Sequence, residues 1–292
     1  MAELAIPVPH RAVERSTGRF WVVPPLLVLG ALFFYPLFLI ARQALTGGQA
    51  TVTLSHFAAV VGSPMFRNAL FHTITIAVSA TAGCLILGFV FSLVIAFIPF
   101  PGAKLMSRLI DTSIALPTFL VALSFTFIYG SAGILNESLM HLLHLRLPPI
   151  DFLYSQWGVI LSEVTVYTPF VMRPLLAAFS QIDPAQIEVA SSLGARFWRI
   201  VRQIILPAAL PALLAGGSLC LLLTVNEFGI VLFIGAKDVI TLPLLIYEKA
   251  IQEFDYTAAC VIAVVNLTLS LGLYALYRLV VAHFGGRRAG LV

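Results

Sequence analysis

The amino-acid sequence predicts an all-α protein that crosses a membrane several times. Of its 292 residues, 60% are apolar and only 10% are charged, and the mean hydropathy is +1.01. Soluble domains are close to half apolar and about a quarter charged. A fold of this size would have too few charged side chains to cover its surface, so we expect much of that surface to face lipid. The same composition excludes a disordered chain, a collagen-like chain and a disulfide scaffold.

Six apolar stretches are each long enough to cross a bilayer as a helix, which takes about 20 residues. Pro24, Pro25 and Pro36 interrupt the first stretch, and Pro99 and Pro101 end the second. The predicted spans cover residues 20–41, 72–100, 109–129, 157–179, 207–234 and 256–281. An even number of spans places both termini on the same side of the membrane.

These spans divide the chain into four parts. We predict an N-terminal tail over 1–19, a first transmembrane helix with its outer loop over 20–66, a five-helix core over 67–282 and a C-terminal tail over 283–292. The N-terminal tail has no small-residue cleavage site behind a short apolar core. We therefore expect it to be retained and not removed as a signal peptide.

Lysine and arginine are distributed unevenly about the predicted spans. Twelve of the 17 fall on the side of the two termini and five on the other side. Because cytoplasmic loops carry the excess of basic residues in membrane proteins, both tails are predicted to be cytoplasmic. The net charge of +4 is accordingly interpreted as an orientation signal, and no nucleic-acid partner is expected.

The longest predicted cytoplasmic connection, residues 180–207, has the local chemistry of a helix, a turn and a second helix. Asp183 is suited to cap a helix and Pro184 to occupy its first position, and Gly194 permits a sharp turn. Arg196, Arg199 and Arg202 then follow at intervals of three, and Pro207 is expected to open the fifth span. A short cytoplasmic helix beside a glycine turn is suited to docking in the groove of a partner. An interfacial helix lying among lipid headgroups would explain the arginines but not the glycine and proline spacing.

The same loop resembles the EAA loop of the permease subunits of bacterial ABC importers. That family pattern is E-A-A, three residues, G, nine residues and I-x-L-P. The positions of this sequence that carry the resemblance are Glu188, Val189, Ala190, Gly194, Ile204, Leu206 and Pro207. Val189 replaces the first alanine of the pattern, a small change in volume that is expected to modulate docking.

Longer segments resemble one branch of that family, the 2-aminoethylphosphonate permeases, which is related to sulfate, thiamine, ferric-iron and polyamine permeases. They lie at residues 114–120, 126–135, 148–155, 171–183 and 216–243. The resemblance implies a type I (MetI-like) permease fold in the bacterial inner membrane. It also implies a cytoplasmic ABC ATPase dimer, a second permease subunit and a periplasmic substrate-binding protein as partners, with membrane lipid around the spans. Another substrate of the same branch and an ion-coupled secondary transporter are the alternatives.

In this assembly, ATP would close the ATPase dimer and displace the docked helix. The resemblance assigns Glu188 to a polar contact with the ATPase or to capping the local turn, Ala190 to close packing and Gly194 to the turn. The chain itself lacks a Walker A loop, because its three lysines follow Ala103, Ala236 and Glu248 and not glycine. It is therefore predicted not to be an enzyme, and it needs no cofactor.

Polar groups within spans are candidates for function because a bilayer makes them costly. Thr224, Asn226 and Glu227 are candidates for the translocation path, with Glu227 positioned to meet the ammonium end of an aminoalkyl substrate. The alternative for Glu227 is a hydrogen bond to a neighbouring span or the ending of its own helix. Asp111 and Arg173 are predicted to form an intramembrane ion pair, against the alternative that each extends separately to the headgroups.

Metal and membrane-enzyme chemistry are not favoured by the sequence. Cys84, Cys220 and Cys260 lie in apolar stretches without a C-x-x-C motif, which is typical of core cysteines and not of a disulfide or zinc site. His141 and His144 have no second pair of ligands beside them. No metal site and no catalytic residues are predicted.

Overall fold

The structure is a computed structural model that describes residues 20–47, 53–235 and 239–285. Those residues form helices joined by short turns, and they contain no β-strand. The predicted tail at 1–19 and most of the predicted tail at 283–292 lie outside the described residues.

The helices follow one another with few long connections. In chain order they are α1 Val23–Leu29, α2 Tyr35–Thr46, α3 Ser55–Gly62, α4 Pro64–Phe97, α5 Ala103–Ser113, α6 Thr118–Tyr129, α7 Ile134–Leu143, α8 Gln156–Phe179, α9 Pro184–Ser192, α10 Phe197–Ile200, α11 Leu206–Val225, α12 Gly229–Ile234, α13 Leu242–Tyr247 and α14 Tyr256–Gly285. Wider π-helical turns lie at Gly30–Phe34, Val201–Ile205 and Glu248–Gln252.

Six helical segments in the described residues are long and apolar enough to cross a membrane. They are Val23–Thr46, Pro64–Phe97, Thr118–Leu143, Gln156–Phe179, Phe197–Val225 and Tyr256–Leu279. The predicted all-α class and six spans are confirmed. The predicted ends are less accurate, since the second span begins at Pro64 and not near residue 72, with Ser63 accepting a hydrogen bond from the Phe66 amide at 3.2 Å as its cap.

The core of the bundle is formed by α4, α8 and α11, which pack closely against one another. Val171 of α8 is fully buried between two glycines, Gly88 of α4 and Gly216 of α11. A Cβ atom added at Gly216 would lie 3.0 Å from the Val171 Cα atom. Small residues allow such close approach of helices within a membrane, so these two glycines set the spacing of the core.

The third predicted span, 109–129, is wrong as a single helix. The structure divides it into α5 and α6 at residues 114–117, with Pro117 in an extended conformation of ψ 135°. Proline has no amide hydrogen and disfavours a helical conformation in the residue before it. Pro117 therefore separates two helices where the apolar stretch predicted one. α5 packs against α8 and α4, and the span proper begins at Thr118.

The fifth predicted span, 207–234, is wrong at both ends. Pro207 does not open it, because one helical segment runs from Phe197 to Val225 through the π-helical turn at Val201–Ile205. A wider turn ahead of a proline accommodates the ring and the missing amide hydrogen without ending the helix. The segment ends at Asn226, and α12 begins only at Gly229. Span five is therefore interrupted at residues 226–228.

The first span lies at the outside of this bundle. The described side chains of α1 are exposed throughout, whereas α2 packs against α14. The exposed side chains of this span are large and apolar, as for Leu27, Leu32 and Phe38. Such a surface is suited to contact with lipid or with another membrane helix.

Candidate functional site

The first element of the predicted cytoplasmic loop is α9, and its beginning is fixed by side-chain capping. The Asp183 carboxylate accepts a hydrogen bond from the Ala185 amide at 2.9 Å, and Pro184 occupies the first helical position. The predicted cap is confirmed. Asp183 satisfies one of the amide groups that a helix leaves unpaired at its N-terminus.

The end of α9 is a left-handed glycine turn. Gly194 adopts a φ of +80°. Its amide donates to the Ser191 carbonyl at 2.9 Å, and the Ala195 amide donates to the Ala190 carbonyl at 3.0 Å. This pair of bonds is the Schellman motif, which needs a left-handed residue at the position of Gly194. The turn fixes α10 relative to α9, so the two helices form one structural unit.

One face of this unit packs on its own chain. Ile187, Ala190 and Ala195 are partly buried and contact the main hydrophobic cluster. Ala190 is therefore packed within the subunit. Asp183 caps the start of α9, and backbone hydrogen bonds hold the turn at its end, so other groups fill the capping role that was considered for Glu188.

The opposite face, which we call the coupling face, consists of Glu188, Val189, Leu193, Phe197 and Trp198. All five side chains are exposed, with Leu193 at 84% and Trp198 at 71%. Exposed apolar side chains grouped in this way mark a surface for interaction. Ile204, Leu206 and Pro207 lie farther along the same segment, where Ile204 is partly buried against the main cluster and Pro207 is exposed.

Asp111 of α5 and Arg173 of α8 contact each other as an ion pair. Their side chains remain 38% and 49% exposed, respectively. α5 has otherwise few partners in the bundle, with α8 and α4 beside it. The pair ties the amphipathic α5 to α8, one of the three core helices.

The break in span five holds the Glu227 carboxylate inside the bundle. Tyr167 of α8 donates its hydroxyl to Glu227 Oε2, and the Ile230 amide donates to Oε1 at 2.8 Å. Glu227 thus bonds a neighbouring span, which is the alternative described above for this residue, and it also caps α12. In this conformation, both of its oxygens have partners and the side chain is buried.

The other two path candidates point in different directions. Thr224 is buried against α4, where its hydroxyl lies 3.4 Å from that of Thr81. Asn226 is exposed, and it bonds to Asn266 and Ser270 of α14. The structure therefore brings the three candidates to one break in the helix without aiming them at one cavity.

Three polar residues at this level escaped the sequence analysis. Asn266 and Ser270 stand one turn apart within an otherwise apolar span, a spacing that places them on one face of a helix. Glu163 of α8 is fully buried, and its Oε2 atom has no hydrogen-bond partner among the described residues. The rule that flagged Glu227, that ionisable groups within a span are costly, would also have flagged Glu163.

Comparison with known proteins settles the class of this membrane protein. The family model described as the binding-protein-dependent transport system inner membrane component matches residues 88–286. This chain belongs to that family. It is thus a multi-pass inner-membrane component of a transport system, as the resemblance at residues 188–207 predicted.

Individual relatives of this inner membrane component extend the match over most of the chain. The permease protein PhnU of Salmonella typhimurium, named for a 2-aminoethylphosphonate transport system, is 62% identical over 267 residues, covering 91% of this chain and 93% of PhnU. The sulfate transport system permease protein CysT of Escherichia coli is 29% identical over 263 residues, covering 89% of this chain and 92% of CysT.

A solved structure with the same fold is the bacterial alginate ABC transporter in complex with an alginate-bound periplasmic protein. One of its chains superposes with a TM-score of 0.76 at 19% identity, covering 91% of this inner membrane component and 94% of that chain. The fold of an ABC importer permease is therefore confirmed.

Proposed function

We propose that this chain is the permease subunit of an ATP-driven importer of 2-aminoethylphosphonate. The identity of 62% to PhnU over almost the full length of both chains carries the proposal. The identity to the sulfate permease is less than half of that value, so the phosphonate is favoured over another substrate of the branch. The chain forms the passage, and ATP hydrolysis takes place in a partner.

The coupling face is the site at which that partner docks. It presents apolar side chains of α9 and α10 at one end of the bundle, and the two ends of α9 are fixed by Asp183 and Gly194. The partners in this proposal are a cytoplasmic ABC ATPase dimer, a second permease subunit and a periplasmic substrate-binding protein. Val189 and Leu193 would fill the groove of the ATPase, and Glu188 would make a polar contact at its edge.

The continuous segment from Phe197 to Val225 provides a route for mechanical coupling. Its 29 residues correspond to a rod about 43 Å long at 1.5 Å per residue. The rod begins at the coupling face and ends at the break in span five. A displacement of α9 and α10 by the ATPase would therefore move Asn226 and Glu227, and alternating access would follow from rigid movement of packed helices.

The orientation of the chain follows from the same proposal. The tails and the coupling face would be cytoplasmic, on the side that holds twelve of the 17 basic residues. Asp111 and Arg173 would then lie in the cytoplasmic half of the membrane. Thr224, Asn226 and Glu227 would lie at the level of the translocation path.

Growth and uptake test the proposed function directly. A strain that lacks this chain should fail to grow on 2-aminoethylphosphonate as its only phosphorus source and should grow normally on inorganic phosphate. Restoring the chain should restore growth and ATP-dependent uptake of the labelled phosphonate. Unchanged uptake without the chain, or restored uptake of sulfate alone, would contradict the assignment.

A further inference from the structure

The exposed side of α11 differs from a surface that faces lipid. Within α11 the exposed residues are Pro207, Ala208, Pro211, Ala215 and Leu219, and the exposed Asn226 follows directly after the helix. The exposed side of the first span instead carries large apolar residues, such as Leu32 at 75% exposure. The uncovered face of α11 therefore carries smaller side chains than the exposed side of the first span, and it ends at an exposed polar group, Asn226.

Asn226 ends that face and belongs to a cluster of neutral polar groups, which we call the amide cluster. Asn266 donates its Nδ2 to Asn226 Oδ1 at 3.1 Å, and Asn226 donates its Nδ2 to the Ser270 hydroxyl at 3.3 Å and to the Leu222 carbonyl at 2.8 Å. The Ser270 hydroxyl also donates to the Asn266 carbonyl at 2.9 Å.

The amide cluster lies deep within the membrane. Asn266 follows Tyr256, the first residue of α14, by ten positions, which is about 15 Å at 1.5 Å per residue. A hydrocarbon core is about 30 Å thick, so the cluster is near its middle. An exposed amide at that depth is costly in contact with lipid, so the exposed side of Asn226 faces a passage or a polar group of the second permease subunit.

One acceptor of the amide cluster is left without a donor. Asn266 is only 7% exposed, and its Oδ1 atom has no hydrogen-bond partner among the described residues. A buried acceptor without a donor is complementary to a group that donates N–H bonds, such as an ammonium group.

We propose that Asn226, Asn266 and Ser270 form a subsite on the translocation path that receives the ammonium group of an aminoalkyl substrate. The inference rests on the proposed function and adds a specific role for two residues of α14. Neutral amide and hydroxyl groups bind a cation more weakly than a carboxylate does. Weak binding suits a passage, from which the substrate must also leave.

The test uses the complete complex in proteoliposomes, with the ATPase, the second permease and the loaded binding protein present. Asn266→Leu removes the acceptor at similar volume. The expected result is an uptake of 2-aminoethylphosphonate per ATP hydrolysed that is about tenfold lower, the size of one lost hydrogen bond to a charged group. Stimulation of ATP hydrolysis by the loaded binding protein should remain. Thr268→Val, on an exposed side of the same helix, is the control and should behave as the wild type.

A second substitution distinguishes a subsite that binds the ammonium group from one that binds the phosphonate oxyanion. Asn266→Asp should keep at least half of the wild-type uptake, because a carboxylate still accepts from an ammonium group. It would lose more uptake than Asn266→Leu if the subsite received the phosphonate, and that result would overturn the proposal. Normal uptake by Asn266→Leu would overturn it as well. Loss of both uptake and ATPase stimulation in Asn266→Leu would show a contact that holds the permease together, again against the proposal.

The controls also separate this inference from the proposed function. A wild-type complex that takes up no 2-aminoethylphosphonate would overturn the proposed function, and the subsite with it. Wild-type uptake combined with an unaffected Asn266→Leu variant would overturn the subsite alone.

Discussion

The hydroxyl group of Tyr167 donates a hydrogen bond to the carboxylate of Glu227, which joins α8 to the break in span five. The other carboxylate oxygen accepts from the Ile230 amide at 2.8 Å, so the same side chain also begins α12. Glu227 therefore holds together the three parts that meet at the break: the core helix α8, the end of α11 and the start of α12.

Removal of the hydroxyl group should loosen this junction. We expect Tyr167→Phe to lower the free energy of unfolding by about 1–3 kcal/mol, because a buried carboxylate oxygen loses its donor. Thermal denaturation of the purified protein in detergent measures the effect. Tyr35→Phe, an exposed tyrosine of the first span, is the matched control. An equal shift in both variants would contradict the role assigned to Tyr167.

The ion pair between Asp111 and Arg173 should tolerate an exchange of its two charged residues. We expect Asp111→Arg and Arg173→Asp each to reduce uptake several-fold, because like charges would then face each other between α5 and α8. The double variant should recover most of the uptake, since it restores the attraction. Uptake is normalised to the amount of protein in the membrane. A double variant as poor as either single one would argue against pairing.

A substitution of Gly194 should be tolerated only as far as the new residue can adopt a positive φ. A Cβ atom at Gly194 would meet nothing within 4 Å, so any defect must arise from the φ of +80° or from docking. Gly194→Val should abolish uptake and stimulated ATP hydrolysis while the protein stays in the membrane, because a β-branched residue rarely adopts this conformation. Gly194→Asn should retain more activity, since asparagine tolerates it.

Gly272→Ala is the control for the turn, because a Cβ atom there also meets nothing within 4 Å and the backbone is helical. It should be silent. If Gly194→Val and Gly194→Asn were equally active, the turn would not matter for coupling.

The coupling face should be needed for retention of the ATPase and not for folding. Leu193 is 84% exposed, so Leu193→Ser removes no packing within the chain. We expect at least a tenfold loss of ATPase recovered with the purified permease, because the side chain would be buried on docking. Leu142→Ser, which changes a residue of α7 that is 77% exposed, should leave the recovery unchanged. An equal loss in both variants would contradict the assignment of the docking site.

Local chemistry accounts for what the sequence predicted well. Asp183 and Gly194 act through atoms a few residues away, so their cap and turn could be inferred from the sequence. The number of spans followed from length and hydropathy alone. Pro117 was also visible in the sequence. A proline within an apolar stretch is compatible with either a bent helix or a broken one, and packing against α8 decides between them.

Contacts between distant segments account for what the sequence did not predict. Tyr167 and Glu227 are 60 residues apart, and nothing along the chain pairs them. A proline such as Pro207 ordinarily begins a helix. The π-helical turn ahead of it forms only because the helix continues through this position. The hydrogen bonds of Asn266 and Ser270 with the exposed Asn226 become apparent only once the fold places α14 beside it.

Cross-linking from the coupling face tests the central claim most directly. In a cysteine-free form of the chain, Leu193→Cys should form a cross-link to the ATPase subunit in membranes, the cross-link should stop ATP-dependent uptake, and Leu142→Cys should form none. Labelling of Leu193→Cys in intact cells by a thiol reagent that cannot cross the membrane would place the coupling face outside the cell. That result, or a cross-link to the ATPase from Leu142→Cys alone, would contradict the account.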